Sequence, residues 1–169
     1  MLSLPDSASA QHKRWYLAEG ATTAFFEEEI LIANPNASAA AVAITFSRFD
    51  GSTVPHQLVV PATSRMTLRV NDIVPDTAVS AVIDSSLDII VERSMYFPGT
   101  ARRDGHNVVG VTAPALVWRL AEGSTHFFNP FVLIANPSRT STALVRVTFL
   151  RTDGGRPIKK IYTDRKSVV

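Results

Sequence analysis

Apolar residues in this chain recur mostly at every second position and in short runs. In "VAITF", Val42, Ile44 and Phe46 fall on one face, and in "SRMTLRV", Met66, Leu68 and Val70 point one way while Arg65, Thr67 and Arg69 point the other. Alternation with period two is the mark of a half-buried β-strand. "EILIANP" is apolar on both faces, as a central strand is, and it stops at Asn34-Pro35, because proline donates no ladder hydrogen bond and holds the preceding residue extended. Asp50-Gly51 supplies a tight hairpin between the "VAITF" strand and "QLVV", Gln57 to Val60. "AVSAVI" (Ala78 to Ile83) and "DIIVERSMYF" (Asp88 to Phe97) predict two more strands. With about seven strands in roughly a hundred residues and no convincing amphipathic helix, the pattern predicts an all-β fold. We expect an immunoglobulin-like antiparallel β-sandwich, with a small closed barrel as the structural rival.

The pattern is spelled twice. "WYLAEGATTAFFEEEILIANP" runs from Trp15 to Pro35, and "WRLAEGSTHFFNPFVLIANP" from Trp118 to Pro137. Asn34-Pro35 matches Asn136-Pro137, Thr45-Phe46 matches Thr148-Phe149, and Asp50-Gly51 matches Asp153-Gly154. A spacing near 103 residues is too long for a solenoid unit of about 20–50 residues and fits a small domain repeated in tandem. The expected division is a flexible segment over 1–14, a complete copy over 15–117 and a truncated second copy over 118–163. The last six residues, "DRKSVV" over 164–169, match one translation frame of a common sequencing adapter, so they read as an artefact, with a genuine basic C-terminus as the alternative.

Differences between the copies sort inward from outward positions. Trp15 and Leu17 stay apolar as Trp118 and Leu120, while Tyr16 becomes Arg119, so Trp and Leu face the core and the residue between them faces solvent. In the same way Ala43 becomes Arg146 between apolar neighbours.

Composition narrows the class. The chain is 46% apolar and 19% charged, a globular balance, and it has no cysteine for a disulfide or a thiolate metal site. No apolar run reaches the ~18–20 residues of a membrane helix, and "MLSLPDSASAQHKR" has neither the basic start nor the apolar centre of a secretory signal. The net charge of +2 is uneven: residues 1–138 hold nine Lys/Arg against thirteen Asp/Glu, and residues 139–169 hold eight against two. Basicity therefore belongs to the tail, and no basic-aromatic strand pattern points to nucleic acid.

Few residues suggest chemistry. Glu27, Glu28 and Glu29 could bind calcium, but the second copy has Asn129, Pro130 and Phe131 there, so they read as a solvated start of a strand. His12, His56, His106 and His126 lie in no metal or nucleophile motif. Arg102 and Arg103 could contact an anion, although a solvated loop explains them as well. Glu19 and Glu122 are kept within apolar strands, which raises a general-acid reading. The better account pairs Glu19 with Arg93, since an inward arginine requires a carboxylate. Tyr16, Phe25, Phe26 and Tyr96, with Phe97 beside them, could form a sugar-stacking surface; core or inter-domain packing is the competing role. The residues expected to be structural are Trp15, Leu17, Glu19, Gly20, Asn34, Pro35, Asp50, Gly51 and Arg93, with Trp118, Glu122, Asn136 and Pro137 in the second copy. Nothing calls for a cofactor, a metal or catalysis.

Taken in order, "WYLAEG", "FF" with "ILIANP", "VAITFSRFDG", "VERSMYFPG" and "GHNVVGVTAPA" resemble a tandem β-sandwich repeat of unassigned function found in bacterial secreted and cell-surface proteins. The resemblance covers nearly all of residues 15–163. It implies an extracellular or wall-associated location and a non-catalytic spacer, adhesive or accessory role, with other repeats, surface polysaccharide or protein as partners. Carbohydrate binding beside a secreted enzyme is the alternative it allows. Arg119 departs from the pattern, as does the absence of a second "VERSMYF" segment.

Overall fold

The computed structural model describes residues 12–97, 104–121, 123–125, 130–138 and 140–164. These are all-β, with one short 3-10 turn at Val70–Asp72 and no α-helix among the described residues. The strands are β1 (His12–Ala21), β2 (Glu27–Asn34), β3 (Ala40–Arg48), β4 (Thr53–Val60), β5 (Ser64–Arg69), β6 (Ala78–Phe97), β7 (Asp104–Val109), β8 (Ala143–Phe149) and β9 (Ile158–Asp164). The first seven form one curled antiparallel sheet, and β8 and β9 form a separate hairpin.

The curl comes from β6. "AVSAVI" and "DIIVERSMYF" form not two strands but one of 20 residues, which changes partners midway. Its first half lies between β1 and β3, with Ile83 opposite Trp15 and Ile44, and its second half lies between β2 and β7, with Ser94 opposite Glu29 and Asn107. The polar stretch Asp84 to Asp88 is where the register with β1 jumps, from Arg14 opposite Asp84 to His12 opposite Ile89. A bulge there bends the strand without ending it. Ser86 Oγ accepts the Ala41 N–H at 2.9 Å, so the bend is tied to the start of β3.

On one side the curl is closed. After β7 the chain crosses toward β1: the Gly110 N–H donates to Val91 O at 2.9 Å, and Tyr16 and Val111 exchange backbone bonds of 2.7 and 3.0 Å. Gly110 passes directly over the core, where a Cβ would lie 3.1 Å from the Trp15 ring and 3.2 Å from Leu17. On the other side β4 and β5 keep open outer edges. Inward residues from both halves meet in a single cluster around Trp15, Ile30, Ile44, Phe46, Ile83 and Val91. Period-two patterning placed Val42, Ile44 and Phe46 of β3 inward, as they stand, whereas β2, read as apolar on both faces, shows strict alternation of half-buried and buried residues.

Two expectations for the second copy are corrected. Trp118 and Leu120 are 58% and 73% exposed, whereas Trp15 and Leu17 are 1% and 4% exposed. The reason is pairing: β1 is held inward by β6, and residues 118–121 pair with no strand among the described residues. "FVLIANP" likewise contains no strand over its described residues 131–137, although its counterpart is central in β2.

Candidate functional site

The densest buried chemistry surrounds Arg93. This residue stands on the inward face of β6 with only 2% exposure. Opposite it, β1 carries one extra residue between Leu17, which faces Ala81, and Gly20, which faces Val79. Such a bulge takes carbonyls out of the ladder. Arg93 Nη1 supplies the missing donor to Ala18 O, at 3.2 Å, and to Glu19 O.

The buried carboxylate here is Glu28. It was expected to be solvated with Glu27 and Glu29, but it is 2% exposed. The alternation of β2 explains this: 28, 30, 32 and 34 point inward, so the triple glutamate is split between two faces and cannot converge on an ion. Among the described residues no group of His, Cys, Asp and Glu is arranged to hold a metal. A Cβ at Gly20 would overlap the Glu28 carboxyl, so a side chain there would displace that acid. The Ala21 N–H also bonds to this carboxyl.

Electrostatics follow from burial. Desolvation pushes Glu28 up to about 7, with Arg93 and the Ala21 N–H pulling it partly back. Arg93 is lowered by its own burial and supported first by Glu28 and then by Glu19. The pairing expected between Arg93 and Glu19 is thus redistributed: Glu19 gives its backbone carbonyl and a weaker charge, and Glu28 gives the stronger one. Burial raises Glu19 as well. His106 on β7 is lowered by burial and then by the Arg93 charge.

Asn71 fixes the neighbouring loop. Its Oδ1 accepts the Glu28 N–H at 2.9 Å, and its Nδ2 donates to Phe26 O at 2.8 Å and Thr22 O at 3.2 Å. Thr22 Oγ donates to Val74 O at 2.5 Å. The loop so held presents Phe25, 57% exposed, and Phe26 against Phe97. Phe25 and Phe26 meet edge to face at 5.0 Å and 83°, and Phe26 meets Phe97 at 5.3 Å and 69°. His106 stands 6.2 Å from Phe97.

The four aromatics that could have formed a sugar-stacking surface are dispersed. Phe25 and Phe26 sit in this cluster, Tyr16 lies on β1 at the closing bridge, and Tyr96 is on the outward face of β6. Tyr96 stands opposite Gly105, where a Cβ would lie 3.1 Å from its Cδ1, so the ring leans over the glycine. Asn71, Thr22 and β7 have no signal in the sequence that marks their roles. For the burial of Glu28 there is one, the period of β2 carried two residues back from Ile30. Glu122, Arg102, Arg103, His126, Phe127, Phe128, Asn129 and the side chain of His12 lie outside the described residues, as do segments 1–11 and 165–169.

The two copies share local geometry where they share sequence. Asn34 Oδ1 accepts the Asn36 N–H at 3.1 Å and its Nδ2 donates to Ser38 O at 2.9 Å; Asn136 Oδ1 accepts the Ser138 N–H at 3.0 Å and its Nδ2 donates to Ser141 O at 2.7 Å. Gly51 and Gly154 both adopt positive φ, 82° and 70°. Asp50 accepts from the Ser52 N–H and Asp153 from the Gly155 N–H, at 2.8 and 2.9 Å.

No family model and no curated protein matches the chain. Solved structures do resemble it. One is a crystal structure of Thermotoga maritima 1070, with a TM-score of 0.57 and 18% identity, covering 62% of this chain and 97% of that one. At that identity the likeness is one of fold alone. Another is the Anabaena sensory rhodopsin transducer, with a TM-score of 0.45 and 32% identity, covering 52% of this chain and 99% of that one. That superposition is too loose to carry an argument. No helix among the described residues is long and apolar enough to cross a membrane.

Proposed function

We propose that this chain is a non-catalytic repeat module of a bacterial secreted or wall-associated protein. In this reading, residues 15–117 are an immunoglobulin-like sandwich, residues 118–163 begin a second copy, and the module acts as a spacer or adhesive unit beside neighbouring repeats. The observation that carries it is the recurrence of the Asn34 and Asp50-Gly51 geometry at Asn136 and Asp153-Gly154. Repeated residues here build turns and strand ends. The acid best suited to chemistry, Glu28, is buried in the core, beside the Arg93 charge and bonded by the Ala21 N–H. A broad hydrolase screen of the chain should show no turnover, and turnover abolished by Glu19→Gln would overturn the reading.

Carbohydrate binding is the second reading, and Tyr96 is the feature that favours it. Its ring leans over Gly105 on an outward face that also carries Asn107, a combination suited to stacking a sugar and bonding its hydroxyls. The edge-to-face cluster of Phe25, Phe26 and Phe97 offers no flat platform. Retention on insoluble polysaccharide that is lost in Tyr96→Ala would select this reading over the spacer.

A further inference from the structure

The hairpin β8–β9 repeats β3–β4, and the comparison identifies what fits its open edge. In the first unit β3 is paired on both sides, by β4 and by the first half of β6. In the second, β8 pairs with β9 alone among the described residues. The inward residues are kept, Val42, Ile44 and Phe46 becoming Val145, Val147 and Phe149. An unpaired edge of this kind presents a row of backbone donors and acceptors able to take up an extended strand.

One outward position says which strand. In the first unit Asp84 of β6 stands opposite Ala43 of β3 on one side and Arg14 of β1 on the other, and Arg14 Nε bonds to Asp84 at 2.5 Å. In the second copy the position of Arg14 is taken by Val117 and that of Ala43 by Arg146. The base has moved from one flank of the acidic position to the other. A strand of the β6 type, seated on β8 in the register of the first unit, would put its aspartate opposite Arg146. Its equivalents of Ile83 and Ala81 would then stand opposite Val147 and Phe149. Both the backbone edge and the charge therefore select the same segment.

We propose that the free edge of β8 is a strand-acceptor site for an extended peptide segment of the β6 type. Its ligand alternates small or branched apolar residues with polar ones and carries an acid opposite Arg146. The site is independent of whether the whole module serves as a spacer or binds a glycan.

The full chain should be titrated with a synthetic peptide of residues 76–88, with backbone amide exchange and chemical shifts read out. Saturable binding should slow exchange across residues 143–149. An Asp84→Lys peptide, or Arg146→Glu in the chain, should each weaken binding roughly two- to fivefold, as cross-strand charge pairs do. The two changes together should restore it. Arg146 is exposed, so its replacement leaves the fold intact. The proposal is overturned by no binding at millimolar peptide, by protection at the outer edges of β4 or β5 in place of β8, or by affinity indifferent to the charge reversals. Protection of 143–149 without peptide, in a chain that dimerises with concentration, would assign the edge to a second copy and overturn it as well.

Discussion

Glu28 is the residue on which local structure and pH dependence meet. Its folded pKa stands at about 7 against an ordinary 4.5, so between those values the folded chain binds a proton that the unfolded chain releases. The stability contributed by Glu28 is therefore fully present below 4.5 and is lost as pH rises to about 7. At about 1.4 kcal/mol per pH unit, the loss is on the order of 3 kcal/mol. His106, lowered in the fold, acts in the opposite sense up to its ordinary 6.5. Comparison with a variant cancels that contribution. Glu28→Gln keeps the shape of the protonated acid and should lose less stability than the parent between pH 5 and pH 8 by urea denaturation. Equal pH slopes in the two proteins would show that Glu28 is not buried as an acid. The sequence disclosed that an inward arginine needs a carboxylate, but it pointed to Glu19 and left Glu28 on a solvated strand start. The β1 bulge that turns Glu19 from a side-chain partner into a carbonyl partner depends on the register with β6, which no local pattern shows.

At the scale of elements, period and turn chemistry made β2, β3, β4 and β5 legible, while β6 and β7 were not read correctly. Strands usually run 3–10 residues, so a polar interruption at Asp84 to Asp88 reads as a loop, and only the partners on either side show that the chain stays extended. β7 is exposed at every position and has no alternation to detect; its role is to carry Gly110 over Trp15. The strand end at Asn-Pro was legible, but its energetics differ between copies. Asn34 is 1% exposed and donates to three carbonyls, those of Ser38, Val60 and Pro61, thereby joining the end of β2 to the turn between β4 and β5. Among the described residues, Asn136 bonds within its own turn, to Ser141 and Ser138. Asn34→Ala should thus cost about 3 kcal/mol, since it removes three hydrogen bonds and leaves the carbonyl of fully buried Val60 without that donor, and Asn136→Ala under about 0.5 kcal/mol. Thermal unfolding of the two variants checks the contrast, and equal losses would mean that both turns are embedded alike.

Across the whole molecule, the same sequence motif has two fates set by what packs against it. Trp15, Leu17 and the inward residues of β3 are sealed because β6 passes between β1 and β3 and because the Tyr16 to Val111 bridge closes the curl. Trp118, Leu120 and the hairpin β8–β9 carry similar residues without those neighbours, and Leu144, Phe149, Ile158 and Ile161 stay exposed. A two-stranded hairpin without a covering layer is marginally stable in water. Its amides should open far more easily than those of β2, β3 and β6, whose exchange requires the curled sheet to come apart. Hydrogen exchange on the full chain should therefore give residues 143–164 protection lower by about two orders of magnitude or more than the strands flanking Trp15, equivalent to at least about 3 kcal/mol. Equal protection in a monomer would mean that the hairpin buries its apolar face within its own chain, and the open edge inferred for β8 would then already be filled.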